Sequence, residues 1–162
     1  MLEIRTAIKN DIPSITEIYN DAVLNTTATF DTEPKSIEEQ KDWFKKHVGK
    51  YMIIVAVDND VVIGWASLSP WSGRCAYSNT ADISVYIKEE FQRKGIGNKL
   101  VKELLKRGPK NGLHTTIAKI CSENKASLNL FKKLGFKHIG TMKDVGYKFE
   151  RQLSVHLMQI IF

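Results

Sequence analysis

The residues of this chain best placed to do chemistry begin with Gln92-Arg93-Lys94-Gly95-Ile96-Gly97, which lies between an alternating apolar run ending at Ile87 and a run with Ile96, Leu100, Val101, Leu104 and Leu105 at helical spacing. The order is strand, loop, helix. Two glycines at a helix start let the backbone turn with no side chain in the way, and their N–H groups lie where a helix N-terminus is unpaired and electropositive. Such a nest suits a diphosphate, and Arg93 and Lys94 add mobile positive charge beside it. The same glycines would also serve a plain strand-to-helix turn. Two other phosphate loops are excluded, because there is no GxxxxGK[ST] and Gly95-Ile96-Gly97 lacks the remaining spacing and acidic follow-up of a dinucleotide fingerprint.

The elements that must position this loop follow from the patterning on either side. Leu2, Ile4 and Thr6 alternate with charged residues as a short strand, and Asn10 or Asp11 can cap a helix with Ile15, Ile18, Tyr19 and Ala22 on one face, fading near Asn25. Residues 26–34 read as loop. Ser36-Ile37-Glu38-Glu39 is a capping box, which predicts a second helix with Ile37, Gln40, Phe44 and Val48 along one side and a stop at Gly49. Tyr51–Val57 and Val61–Ser69 form the strongest hairpin signal, joined through Asp58-Asn59-Asp60. Pro70–Asn79 interrupts the sheet before the strand that ends at Ile87. After the glycine-led helix, Pro109–Gly112 reads as a turn and Thr115–Ile120 as a strand. Asn124 caps a helix that Gly135 ends, and Phe136–Thr141 and Leu153–Ile161 are the last strands, with Met142–Arg151 a loop between them.

A chain of 162 residues has enough length for one core, so residues 1–162 are expected to form a single domain. No run approaches the roughly 18 apolar residues a membrane span needs, and Met1–Arg5 leads straight into ordered-looking sequence without an apolar export segment, so no membrane partner and a cytoplasmic location are expected. The net charge of +6 is spread among eighteen acids with no aromatic-basic ladder, so no nucleic-acid partner is expected; a basic surface would also favour a highly anionic cofactor. Cys75 and Cys121 lack metal-ligand spacing and read as free thiols, and no pair among His47, His114, His138 and His156 has zinc spacing, so no metal is expected.

With Gln92 and Arg93 in front, the glycine segment resembles the Q/R-x-x-G-x-G/A loop of the GCN5-related N-acetyltransferases (GNAT). A second motif agrees: Asn124-x-x-Ser127-x-x-x-Phe131-x-x-x-Gly135-Phe136 is similar to that family's N-x-x-A-x-x-x-Y-x-x-x-G-F at full spacing. The resemblance implies an α/β fold with a mixed, mostly antiparallel central sheet, splayed at the cofactor site and flanked by helices. It also implies acetyl-CoA as cosubstrate: its diphosphate on Arg93, Lys94, Gly95, Ile96, Gly97 and Asn98, its pantetheine on the main chain of Val85, Tyr86 and Ile87, and further contacts from Asn124 and Ser127. The side chains of Val85 and Ile87 serve equally as ordinary core, and Asn124 can cap its helix and still reach the cofactor.

Phe30-x-Thr32-Glu33-Pro34, Pro70-Trp71 with Arg74-x-Ala76-Tyr77, and Thr80-Ala81-Asp82-x-Ser84-Val85-Tyr86-Ile87 resemble the phosphinothricin and methionine sulfoximine acetyltransferases within that family. Members acetylate the α-amino group of those glutamate-like inhibitors and typically form homodimers. Amide formation from a thioester requires an ammonium to lose a proton, a nitrogen held about 3 Å from the acyl carbon, and a donor for the developing oxyanion; direct attack needs no protein nucleophile. Asp82, a carboxylate among Ile83, Val85 and Ile87 with Tyr86 nearby, is the candidate base. Relatives usually have glutamate there, and an aspartate one methylene shorter favours relay through water. Phe131 stands where a tyrosine commonly protonates the leaving thiolate, and serves as a packing residue.

For the acceptor, Arg74 offers bidentate geometry to an α-carboxylate, Trp71, Tyr77 and Phe30 offer walls, and Lys148 stands where relatives have a basic residue near the active site. Around Lys148 the pattern departs: Phe149 replaces a histidine and Gln152 a tryptophan, which puts acceptor identity in question. Two other classes stay open, an acetyltransferase for a protein N-terminus or another amine, and a non-catalytic acyl-CoA-binding or nucleic-acid-associated module.

Overall fold

The computed structural model describes all residues, 1–162. One seven-stranded sheet runs through it in the order β1-β2-β3-β4-β5-β7-β6, with β1 Leu2–Thr6, β2 Met52–Asp58, β3 Val61–Pro70, β4 Thr80–Ile87, β5 Thr115–Cys121, β6 Lys137–Lys148 and β7 Arg151–Ile161. Every neighbouring pair is antiparallel except β4–β5. Four helices flank the sheet: α1 Ile12–Asn25, α2 Ile37–Lys45, α3 Ile96–Lys110 and α4 Lys125–Lys133.

The two-residue period of the central strands divides their side chains between two cores. On one face Ile54, Ala56, Ile63, Ala66, Leu68, Ala81 and Ile83 meet Leu100, Val101 and Leu104 of α3 and Phe131 of α4. On the other, Ile53, Val55, Val57, Val62 and Trp65 meet Ile15 and Ile18 of α1, with Trp43 and Phe44 of α2 packed alongside. The β2–β3 turn uses Asn59 and Asp60 at φ 48 and 64, the two left-handed positions that a tight hairpin demands and that these residues tolerate. As the capping box requires, Ser36 accepts from the Glu39 N–H while the Glu39 carboxylate accepts from the Ser36 N–H.

The feature that makes a site is the junction of β4 and β5. They pair only at Thr80–Asp82 against Thr115–Ile117, while β4 runs on to Ile87 beside β3 and β5 runs on to Cys121 beside β7. From Ile83 onward the β5-facing edge of β4 has no strand partner, and the sheet is splayed there.

Four expectations need correction. The stretch after Thr141 is strand: β6 continues to Lys148 and turns through Phe149 and Glu150 at φ 52 and 62. Register breaks at His138/Gly140 and Met142/Gly146 scramble the alternation that would have marked it. Helix α3 does not stop before Pro109 but passes through it to Lys110, because a proline in a last turn forfeits a single intrahelical bond. Helix α2 ends at Lys45, leaving Val48 exposed. Asp11 stands at the N-cap of α1 without capping it; its carboxylate instead accepts from Arg5 at 2.8 and 3.0 Å and from the Ile8 N–H at 2.8 Å.

Candidate active site

A cavity of about 660 Å³ opens where β4 and β5 part, lined by the end of β4, the loop to α3, the first turns of α3 and α4, the end of α1 with residues 26–28, and the β6–β7 turn. The loop is shaped by Arg93 at φ 62 and Gly95 at φ 80, and Gln92 Nε2 ties it back to the Ile87 carbonyl at 3.1 Å. At Gly95 a side chain would be strained, whatever the space around it. Helix α3 has no side-chain cap, and its first turn closes with Lys99 N–H to the Gly95 carbonyl at 3.2 Å. The N–H groups of Ile96, Gly97 and Asn98 are therefore left without intrahelical partners, on residues that line the cavity. Unpaired donors at the positive end of a helix are chemistry for an anion, and they fit a diphosphate.

Of the residues expected to hold the cofactor, Val85, Tyr86, Ile87, Arg93, Gly95, Ile96, Gly97, Asn98, Asn124 and Ser127 all line this cavity. Lys94 does not; its ammonium lies 5.3 Å over the Phe91 ring. Asn124 caps α4, its Oδ1 accepting from the Ser127 N–H at 3.1 Å, so its side-chain NH₂ is left for a ligand. Phe131 is buried edge-to-face against Phe136 and has no proton to give.

Asp82 stands at the last paired rung of β4, opposite Ile117, and its side chain is 22% exposed. Burial pushes its carboxyl above the usual carboxylate range, and Lys119 of β5, with Nζ 3.1 Å from Oδ2, pulls in the opposite direction without cancelling the effect. Directly across β3 is Ser69. Its hydroxyl lies 2.7 Å from His47 Nε2, whose Nδ1 lies 2.8 Å from the Trp43 carbonyl. A carbonyl only accepts, so Nδ1 carries the proton and Ser69 donates to Nε2; burial lowers the His47 pKa and keeps the ring neutral. Tyr86 packs on Trp65 and edge-on to Tyr19, and burial holds both tyrosine phenols far above their ordinary pKa.

The residues expected to bind the acceptor fall into separate groups. Phe30 lies against Gly146 of β6 so closely that a Cβ there would be 2.3 Å from the ring. Lys148 is buried, donates to the Thr29 carbonyl at 2.8 Å and has its pKa lowered by that burial, so it pins the 26–35 loop beside the site. The same loop is held by Tyr19, whose hydroxyl meets Thr29 Oγ1 at 2.9 Å and the Asp31 carboxylate. Trp71 is half-buried, its ring centre 5.6 Å from Lys119 Nζ. Arg74 and Tyr77 are exposed in the loop after β3, and the Arg74 guanidinium has no partner within the chain.

Sequence reasoning missed Lys119, the His47–Ser69 pair, the Tyr19–Thr29–Asp31 network and the Arg151–Glu123 pair (2.6 Å) at the cavity wall. Only Lys119 left a signal, as a lysine interrupting the apolar run Ile117-Ala118-Lys119-Ile120. It also missed His138 and His156, whose ring nitrogens meet at 3.2 Å across β6 and β7.

The sequence profile of the Acetyltransferase (GNAT) family matches residues 14–136. The chain is 39% identical, over 97% of its own length and 92% of the relative's, to an L-methionine sulfoximine/L-methionine sulfone acetyltransferase of Pseudomonas aeruginosa. In structure it is similar to a GNAT superfamily phosphinothricin acetyltransferase from Sinorhizobium meliloti in complex with AcCoA, with a TM-score of 0.96 and 37% identity over 99% of this chain and 88% of that one. A ribosomal-protein-alanine N-acetyltransferase from Brucella melitensis superposes with a TM-score of 0.95 at 34% identity, covering 99% of each chain.

Proposed function

We propose, for a chain that belongs to the GNAT family of acetyltransferases, that the acceptor is the α-amino group of a small amino-acid-like molecule of the methionine sulfoximine or phosphinothricin type. The enzyme takes an acetyl group from acetyl-CoA and delivers it to an amine. The observation that carries the acceptor assignment is the likeness to the Pseudomonas sulfoximine enzyme along 97% of this chain.

In this reading the unpaired N–H groups of Ile96, Gly97 and Asn98, with Arg93, hold the diphosphate, and the unpartnered edge of β4 at Val85–Ile87 pairs with the pantetheine amides. Acetyl-CoA, when bound, supplies an acyl carbon activated as a thioester. Asp82 receives the proton the ammonium must lose. It lies three residues before Val85, the nearest cavity-lining residue of β4, which is on the order of 10 Å along a strand, so the proton travels through water. Attack on the acyl carbon is direct, and with phenylalanine at 131 the departing thiolate takes its proton from water. Trp71 and Phe30 wall the acceptor, Tyr77 stands at the exposed rim, and Lys148 holds the loop that covers it. Arg74 is an outer contact to the carboxylate; at an exposed position it is worth no more than about 1 kcal/mol, so most of a carboxylate preference has to come from a group nearer the acceptor. A homodimer accompanies this reading, and Ile139, Val145 and Tyr147, exposed on the edge strand β6, support a second copy at that edge.

The Brucella neighbour favours a second reading, a peptide N-terminus as acceptor. Thiol release from acetyl-CoA separates the two. Methionine sulfoximine or phosphinothricin should be acetylated at least 30-fold better, about 2 kcal/mol, than the same amine without its α-carboxylate, and better than an alanine-terminated peptide. Equal rates for the decarboxylated amine, or a faster peptide, would overturn the assignment.

A further inference from the structure

We propose that Lys119 is the inner cation that reads the acceptor's carboxylate, and that it does so by giving up its hold on Asp82. This rests on the reading above in which Asp82 takes the amine's proton.

In an α-amino acid, bonds of about 1.5 Å meeting near 111° put the carboxyl carbon about 2.5 Å from the nitrogen. An amine that passes its proton to Asp82 through a bridging water therefore brings its own carboxylate into the same cleft as the Asp82 carboxylate. Two anions in a partly buried cleft repel each other unless a cation lies between them. Each element packed around Asp82 can be asked for one. Strand β3 contributes Ser69, tied to a neutral His47. Strand β4 itself contributes Tyr86, a protonated phenol. The loop after β3 contributes Trp71, and Arg74 with its side chain in solvent. Strand β5 contributes Lys119, 3.1 Å from Asp82 and the only cation in an ion pair with it.

Lys119 is suited to an exchange of partners. Its side chain is 49% exposed on a flexible four-carbon stem, and its ammonium carries three donors. Trp71, 5.6 Å away, offers its ring to the same charge as the ammonium moves, and walls the space where the acceptor would sit. With the cleft empty, Lys119 opposes the effect of burial on Asp82. Once the acceptor's carboxylate takes the ammonium, burial acts with less opposition and Asp82 is a stronger base in the bound complex. An amine without a carboxylate leaves Lys119 on Asp82 and meets a weaker base behind a like charge. Selection among acceptors is then exerted at the proton-transfer step as well as at binding.

The experiment uses the full chain as wild type, Lys119→Met, Lys119→Arg and Asp82→Asn, with a carboxylate-bearing acceptor and its decarboxylated analogue, across pH. Lys119→Met should lose at least 10-fold of the preference for the carboxylate, with KM for that acceptor rising while KM for the analogue does not. The acid limb of kcat/KM for the analogue should move to higher pH, since nothing then holds Asp82 down. Lys119→Arg should retain most of the preference. An unchanged preference and acid limb in Lys119→Met, with the limb abolished in Asp82→Asn, sinks this inference and leaves the base assignment standing. An acid limb that survives Asp82→Asn, or a wild type indifferent to the carboxylate, overturns the underlying reading and this inference with it.

Discussion

Replacing Gly97 with valine separates folding from cofactor binding. Gly97 is the second residue of α3 and its φ is an ordinary helical one, so no left-handed backbone has to be forced. A Cβ built there would lie 3.4 Å from Leu130 Cδ2, an ordinary contact, so the variant keeps its fold. Valine is a better helix residue than glycine by a few tenths of a kcal/mol, which offsets slight crowding against α4. Binding responds differently. Gly97 and Leu130 both line the cavity, so with Leu130 in van der Waals contact the two Cγ methyls occupy space between α3 and α4. There they are expected to crowd a diphosphate that approaches the unpaired Gly97 and Asn98 N–H groups. Losing close approach to one charge-assisted donor costs about 1.4 kcal/mol, so Kd for coenzyme A should rise at least about tenfold by calorimetry while the melting temperature changes by no more than a few degrees. Gly97→Ala, with the Cβ alone, is the matched control and should bind nearly as wild type. Unchanged affinity in a folded valine variant would refute the placement of the diphosphate on this helix end.

Asp82→Asn preserves shape and should preserve coenzyme A affinity while lowering kcat/KM roughly 10²-fold near neutral pH. Because burial raises the Asp82 carboxyl, wild-type activity should fall on the acid side at a pH above the ordinary carboxylate range, and that limb should be missing in the variant; superimposable pH–rate profiles would remove Asp82 from the proton path. Arg5→Met should lower stability by about 2 kcal/mol at pH 7, discounted for the part-exposed guanidinium, or roughly 4–8 °C in Tm, because it leaves the buried Asp11 carboxylate with the Ile8 N–H alone. Burial works to raise the Asp11 carboxyl, but Arg5 and the Ile8 N–H outweigh it and hold it below its unfolded value. Its stabilisation is therefore present above that value and lost as pH falls through the folded one. Melts at neutral and acid pH should show the gap between Arg5→Met and wild type closing on acidification, and a gap independent of pH would contradict the ion-pair account.

How much of this was legible in the sequence depended on how far apart the cooperating residues lie. The half proposed for the cofactor is built from local geometry: a loop that closes on Gly95, a helix whose first donors are orphaned by construction, and Asn124 capping three residues ahead of Ser127. Each of those features is set by neighbours within a turn of helix, so spacing alone revealed it. The final hairpin was half-legible, because two register breaks around Gly140 and Gly146 destroy the period-two signal while Phe149 and Glu150 make the turn with left-handed residues that carry no glycine flag.

The half proposed for the acceptor draws on β3, β4, β5, the 26–35 loop and β6, and every contact in it is a statement about register between distant strands. Lys119 meets Asp82 because Ile117 is paired with Asp82 and β5 then turns away toward β7; a one-residue slip would send the lysine to the opposite face. Phe30 reaches Gly146 and Lys148 reaches Thr29 only because β6 carries its bulges where it does. The same fact explains why Phe149 and Gln152, which depart from the pattern of phosphinothricin acetyltransferases, leave the glycine loop and the start of α3 as the spacing predicts them. Phe149 sits at the β6–β7 turn between Lys148 and Arg151, where it also lines the cavity, and Gln152 pairs with Tyr147, so both belong to the final hairpin. On the proposed reading, a chain can keep its acetyl-CoA site while changes in that hairpin or at Lys119 alter which amine it accepts, and the measurements that test this are the ones made on β5 and β6 variants.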